Sequence, residues 1–187
     1  MKKTGILAKR YAKALFGLAM EMNNLEEVRK DMELIFDVYK QNKDFRLILD
    51  APIVSIDKKK AIFNSLFKKH INEITLRYLM IILRKRREAY LGNIAEQFIS
   101  LYKEFKNIII VYLQTAAEID ETIRKKVIKL LEDQTKGNIE LHEAMKKEII
   151  GGFILTYDDK KYDDSISAQL QMLRRDVAAL NLYVRGI

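Results

Sequence analysis

The sequence predicts an α+β protein. Residues 1–105 read as an N-terminal six-helix bundle, and residues 106–187 as a small C-terminal α/β domain with a short mixed sheet and two helices. Three observations carry this. Apolar residues recur with a helical period as far as residue 105. The first long β-branched run, Asn107-Ile-Ile-Ile-Val-Tyr-Leu-Gln-Thr115, follows immediately. The charge balance changes at the same place: residues 1–105 hold 21 Lys/Arg against 13 Asp/Glu, a net of +8, whereas residues 106–187 hold 13 of each.

The elements follow in order. Residues 4–22 form the first helix. Asn24-Leu-Glu-Glu27 has the spacing of a capping box and opens a second helix to about Gln41. A short helical segment over residues 44–49 stops at Asp50-Ala-Pro52, the only proline in the chain. Ser55 is placed to cap a fourth helix ending near Phe67, with Asp57 in its positive first turn. Asn72 caps a fifth helix through Arg87, and a sixth runs over residues 90–105. The β-branched run at 107–115 is expected to be a strand buried on both faces. Asp120 caps a helix to about Gln134, with Ile123, Val127, Leu130 and Leu131 on one face. Residues 139–141 begin a half-exposed strand, and residues 149–157 form another. Residues 158–161 turn back into a very short strand at Tyr162. Asp163 or Asp164 caps the last helix, with Ile166, Leu170, Leu173 and Val177 as its buried stripe.

Composition removes several function classes. No cysteine is present, which excludes disulfides, thiolate metal sites and cysteine nucleophiles. No apolar run of about 18 residues exists to span a bilayer. The basic start, residues 1–10, lacks the apolar core of a signal peptide. No catalytic constellation is legible. His70 lies in a Lys-Lys-His helix end and His142 between acidic neighbours on a strand; neither has a second histidine at metal-ligand spacing. The Asp158-Asp159 and Asp163-Asp164 pairs lack the spacing of a calcium loop. No catalytic residue, metal ligand or cofactor is therefore expected. Gly151-Gly152 is followed by more strand rather than by a helix with a phosphate-binding lysine. Its reading is a bulge or a close backbone approach, not a phosphate cradle.

The informative anomaly is apolar surplus. On the first helix, apolar residues spread over roughly 200° of the wheel, about twice the minimum stripe of a surface helix. The fifth helix is apolar almost all round and ends in Arg84-Lys-Arg-Arg87. Two such helices in a bundle of this size exceed what its interior can cover. The surplus predicts an exposed apolar groove for a partner's amphipathic helix, with a positive rim favouring an acidic partner.

The residue pattern resembles the delta subunit family of F-type ATP synthase, whose mitochondrial members are the oligomycin-sensitivity-conferring proteins (OSCP). Arg10-Tyr-Ala-Lys-Ala-Leu-Phe16 matches the family's opening. Pro52 with residues 58–60 and Leu66-Phe67 matches the next block. Tyr78-Leu79 through Arg87, then Leu91, Ile94 and Phe98, match the fifth and sixth helices, and Thr115-Ala116 follows the first strand. Ile150-Gly151-Gly152, followed by Asp163-Asp-Ser165-Ile166 and Leu170, matches the most specific signature. The chain departs from the family at Met145-Lys-Lys147, where Val-Asp-Pro is frequent, and at Lys85-Arg86-Arg87, where Asn-Gly-Arg is frequent.

The resemblance implies a non-catalytic stator component that joins the catalytic head to the peripheral stalk and resists rotor torque. It implies that the N-terminal bundle takes N-terminal helical segments of alpha subunits between the first and fifth helices. The C-terminal domain would take the C-terminal helices of the b subunits. Within that frame Leu7, Tyr11, Leu15, Leu18, Leu79 and Leu83 are expected to line the groove, with Arg86 at its edge. Gly151, Gly152, Asp163 and Ser165 are expected to form the structural motif. The location implied is peripheral, on the cytoplasmic face of a bacterial inner membrane or the stromal side of a thylakoid. The rival readings are a basic nucleic-acid-binding helical protein, from the positive first half, and a metal-dependent hydrolase, from the acidic pairs.

Overall fold

The computed structural model describes residues 3–184. Among these residues it is an α+β structure with eight α-helices and one four-stranded mixed sheet, and all six of the first helices precede the sheet. The chain divides into two units that meet at Phe105 and Lys106.

The first unit is helical: α1 (Lys3–Glu21), α2 (Leu25–Gln41), α3 (Lys43–Asp50), α4 (Ile56–Phe67), α5 (Glu73–Arg84) and α6 (Leu91–Phe105). A 3-10 turn, Glu88–Tyr90, joins the last two. The contacts between helices fix their directions. The Arg29 guanidinium lies 5.3 Å above the Tyr102 ring, while the Tyr39 ring fills the space a Cβ would occupy at Gly92. Hence α2 runs antiparallel to α6. Asp31 on α2 accepts hydrogen bonds from the Asn72 amide (2.9 Å) and the Thr75 hydroxyl (2.6 Å), so α5 starts beside the start of α2. Since α2 returns along α1 after a three-residue connection, α1 and α6 run together and α5 opposes both. Small residues let α1 lie close to α6: Ala8, Ala12 and Ala19 have no exposed surface, and the Phe16 ring packs at an angle against Phe98 and edge-on to Phe105. Phe45, Phe63 and Phe67 pack as a triad between α3 and α4, with ring centroids 5.7–5.9 Å apart.

Two local expectations change. Asn24 makes no side-chain cap: α1 ends with Asn23 at φ 53°, and the Asn24 amide is spent on the Ala19 carbonyl. Its partner Glu27 instead accepts from the Asn72 side chain. The helix α5 stops at Arg84 rather than Arg87. Arg86 takes φ 53°, and the amides of Arg86 and Arg87 turn back to the carbonyls of Leu83 and Ile82. Ser55 and Asn72 do cap α4 and α5, accepting from Lys58 N and Ile74 N.

The second unit contains β1 (Ile108–Thr115), α7 (Glu121–Thr135), β2 (Asn138–Met145), β3 (Phe153–Tyr157), β4 (Lys160–Asp163) and α8 (Ile166–Val184). The sheet order is β2-β1-β3-β4, with β1 parallel to β2 and the other pairs antiparallel. Val111, Leu113, Leu131 and Leu155 form the core between α7 and one sheet face.

Three expectations are corrected here. The strand β1 is not covered on both faces, because α7 occupies only one; Tyr112 points away and stacks on His142. Residues 149–152 are not strand. A 3-10 turn, Lys147–Ile149, precedes Ile150 at φ 65°, and β3 begins only at Phe153. The α8 stripe is not buried: Ile166, Leu170, Leu173 and Val177 are 43–59% exposed, and the turn at 147–149 is the main element packed against α8 among the described residues.

Candidate functional site

Part of the apolar surface left over on the first unit lies along α1 and α5, while Leu34, Leu47, Ile53 and Leu66 are exposed elsewhere on it. The Tyr78 hydroxyl donates to the Tyr11 carbonyl at 3.1 Å, which brings the two helices together. Burial pushes the Tyr78 phenol well above its ordinary range, with neighbouring Tyr11 adding to the shift. On either side of this contact an apolar stripe faces outward. On α1 it is Leu7, Tyr11, Ala14 and Leu18, spaced at i, i+4, i+7 and i+11, the first two half-buried and the last two exposed. On α5 it is Ile74 and Ile81 beside Tyr78, with Ile81 49% exposed.

Among the expected groove residues, Leu7, Tyr11 and Leu18 lie on this stripe. Leu15, Leu79 and Leu83 have no exposed surface and belong to the unit's own core. The helical wheel explains the difference. Leu15 points about 80° from Leu7, toward α6, and Leu79 and Leu83 lie on the inward side of α5. Ala14, Ile74 and Ile81 share the outward stripe but are not among the expected groove residues. Their only signal is membership of the same i, i+4, i+7 row. Arg86 is exposed at the end of α5.

The second unit also leaves apolar surface open. An apolar cleft of about 640 Å³ lies between α7 and the β3–β4 hairpin. Ile123, Val127 and Leu130 line it from α7; Phe153, Leu155 and Tyr157 line it from β3, with Tyr162 from β4. Tyr157 and Tyr162 stack with centroids 5.8 Å apart. Beside the cleft, Arg124 donates to both carboxylate oxygens of Glu143, which holds Glu143 below the usual carboxylate range.

The glycine pair has a structural role. Gly152 adopts φ 76°, and a Cβ there would lie 2.1 Å from the Asp164 carbonyl oxygen. The Asp164 amide donates to the Phe153 carbonyl, and the Ile166 amide to the Gly151 carbonyl, so backbone lies on backbone where α8 begins. The cap of α8 is Ser165, not Asp163 or Asp164. Its hydroxyl is buried, accepts from the Ala168 amide at 3.2 Å and donates to Asp163 at 2.6 Å. That bond, then Lys161, holds the Asp163 carboxyl below its ordinary range. His70 is exposed, and His142 contacts Glu140 and Tyr112. Among the described residues no three His, Asp or Glu side chains gather to hold a metal ion, and no helix is long and apolar enough to cross a membrane.

The sequence matches the family described as ATP synthase delta (OSCP) subunit over residues 7–177. The ATP synthase subunit delta of Cytophaga hutchinsonii is 36% identical over 93% of this chain and 94% of its own length. That of Desulforudis audaxviator is 31% identical over 92% and 95%. A chain of the Toxoplasma gondii mitochondrial ATP synthase hexamer shares the fold, with a TM-score of 0.66 and 24% identity over 92% of this chain and 97% of that one. The chain belongs to the ATP synthase delta (OSCP) subunit family, the non-catalytic stator subunits of that complex.

Proposed function

We propose that this subunit ties the catalytic head of the synthase to its peripheral stalk through two separate helix-docking surfaces, one on each unit. The helices of the first unit act as a six-helix bundle, and the groove between α1 and α5 receives the N-terminal helical segment of an alpha subunit. The second unit receives the C-terminal helices of the b subunits, on the cleft beside α7 and on the open stripe of α8. The protein then works peripherally, at the cytoplasmic face of a bacterial inner membrane or the stromal side of a thylakoid. Its task is to keep the head from turning with the rotor during proton-driven synthesis. Such a task requires slow dissociation and no bond chemistry, which apolar surfaces supply and which needs neither a catalytic group nor a cofactor.

The observation that carries this reading is the apolar surface each unit leaves uncovered: Leu18 and Ile81 flanking the Tyr11–Tyr78 contact, and Leu170, Leu173 and Val177 along α8. The test is a pair of variants titrated by calorimetry. Ile81→Glu places a carboxylate in the groove and should weaken a synthetic alpha N-terminal peptide by about 2–3 kcal/mol, roughly 30- to 150-fold, without touching b-subunit binding. Leu173→Glu should do the reverse. Equal loss of both partners in either variant, or no loss in both, refutes the division of labour.

A further inference from the structure

We propose that the α1/α5 groove is electrostatically polarised, so that it accepts its helix in one direction only: a helix with acidic residues in its first turn, lying with its N-terminus at the end where α5 stops. This rests on the groove reading above and adds to it a direction and a charge pattern.

The antiparallel course of α1 and α5 places the start of α1 beside the end of α5. At that end Arg10 flanks the outward stripe of α1, and Lys85 continues the stripe of α5 one turn beyond Ile81. Arg84 precedes it, and Arg86 and Arg87 follow. All five are exposed, and among the described residues none is held in an ion pair. At the opposite end the sign reverses. Glu21 follows Leu18 on α1, and Glu73 precedes Ile74 on α5, where Arg77 neutralises it at 2.6 Å. A bound helix therefore lies between five uncompensated cations at one end and a weakly acidic margin at the other.

The backbone makes the cationic end more telling. Arg86 occupies the left-handed position that ends α5, where glycine or asparagine is easier to accommodate. An arginine there sacrifices backbone ease and adds a cation.

The direction follows from magnitudes. A helix N-terminus carries about half a positive charge, which alone would avoid this end. Two carboxylates in the first turn outweigh it by about four to one. Carboxylates also stabilise a helix in its first turn and destabilise it in its last, so an acidic end is most stably a helix's first turn.

The experiment uses the full-length protein with 15N labelling and an alpha-subunit N-terminal peptide carrying a nitroxide at its first or its last residue. The first-residue label should broaden the amides of residues 84–87 and Arg10, and the last-residue label those near Glu21 and Glu73. Reversed broadening overturns the direction but leaves the groove reading standing. No broadening along α1 and α5 overturns both. Charge reversal at exposed positions, Arg10→Glu with Lys85→Glu, should weaken the unlabelled peptide about tenfold or more and flatten its salt dependence. Unchanged affinity and salt dependence overturn the electrostatic cause. If duplex DNA shifts the amides of residues 84–87 while the peptide leaves them unmoved, the cluster serves nucleic acid and the proposal fails.

Discussion

The ion pair between Lys59 and Glu88 offers the sharpest test of how the first unit is held together. The Lys59 ammonium is 3% exposed and donates to Glu88 Oε1 at 2.7 Å and to the Leu49 carbonyl at 2.8 Å. Three segments meet on one nitrogen: the end of α3, the first turns of α4 and the 3-10 turn before α6. The Leu49 carbonyl belongs to the last turn of α3, where helix carbonyls lack an intrahelical partner, so Lys59 caps that helix from outside. The pair is also incompletely satisfied, because Glu88 Oε2 is buried with no bonded partner among the described residues.

Removing one partner strands the other charge in the interior, a loss of about 3–5 kcal/mol against a typical total stability of about 5–15. Lys59→Met and Glu88→Leu should each lose about that much. The double variant should lose only about 1–3 kcal/mol, chiefly from the orphaned Leu49 carbonyl. Coupling of at least about 3 kcal/mol is therefore expected, far above the few tenths found for independent sites. The chain has no tryptophan and two units. Urea unfolding is therefore best followed by the amide resonances of α3 and α4, which report the first unit alone. Losses that simply add in the double variant would refute the reasoning.

Three further outcomes are expected. Arg86→Gly relieves the left-handed residue at the end of α5 and should stabilise the first unit by about 0.5–1 kcal/mol in urea, while weakening alpha-peptide binding; loss of stability would show the turn is not strained. Asp31 is held above its ordinary pKa chiefly by burial, against the lowering effect of the Thr75 and Asn72 hydrogen bonds. The folded chain thus binds that proton more tightly than the unfolded chain, and stability from this group falls as pH rises from 3.8 through the folded pKa. Asp31→Asn should remove that dependence, so wild type gains on the variant as pH is lowered toward 4 in parallel urea titrations; a constant gap would contradict it. Gly152→Ala sets a Cβ against the Asp164 carbonyl at positive φ and should lower the second unit's stability by at least about 2 kcal/mol, read as a drop in its Tm; an unchanged Tm would mean the backbone at Asp164 yields freely.

Much of this architecture is legible from residue spacing, and what is not has identifiable causes. The change of period at Asn107 locates the boundary because a β-branched run and a helical row differ over eight residues. Ser55 and Asn72 are found as caps because each takes extended backbone and its side-chain oxygen reaches an amide of the turn that follows. Asn24 has the same sequence signature, yet it is drawn into the turn that ends α1 and has ψ 24° rather than the extended backbone of a cap, and no rule of spacing reveals that two helix ends share one residue. The groove shows the deeper limit. A wheel separates apolar from polar, but Leu15 and Leu18 are equally apolar. Which faces α6 and which faces outward depends on where α6 lies, a tertiary fact. The α8 stripe fails for a related reason: amphipathic spacing promises burial without saying whether the covering surface belongs to the same chain. Lys59 and Glu88 are 29 residues apart among many surface charges, and nothing local marks them as buried.

Under the proposed division, with the head on the first unit and the stalk on the second, the connection at Phe105 and Lys106 matters as much as the docking surfaces, since tension between the two would cross it. Phe105 is anchored behind by its ring against Phe16. Ahead, the Asn138 side chain donates to the Lys106 carbonyl, the Asn138 amide to the Asn107 carbonyl, and the Asn107 side chain to the Lys136 carbonyl. Load then passes into β1, an inner strand registered with β2 over residues 108–115 and with β3 over residues 111–115. A strand paired on both sides and pulled along its length resists in shear, with many hydrogen bonds strained together. An edge strand would share the load across one neighbour only. Had β4 received the link, its four residues paired on one side would yield first. Placing the link on β1 suits a tether between the two docking surfaces proposed.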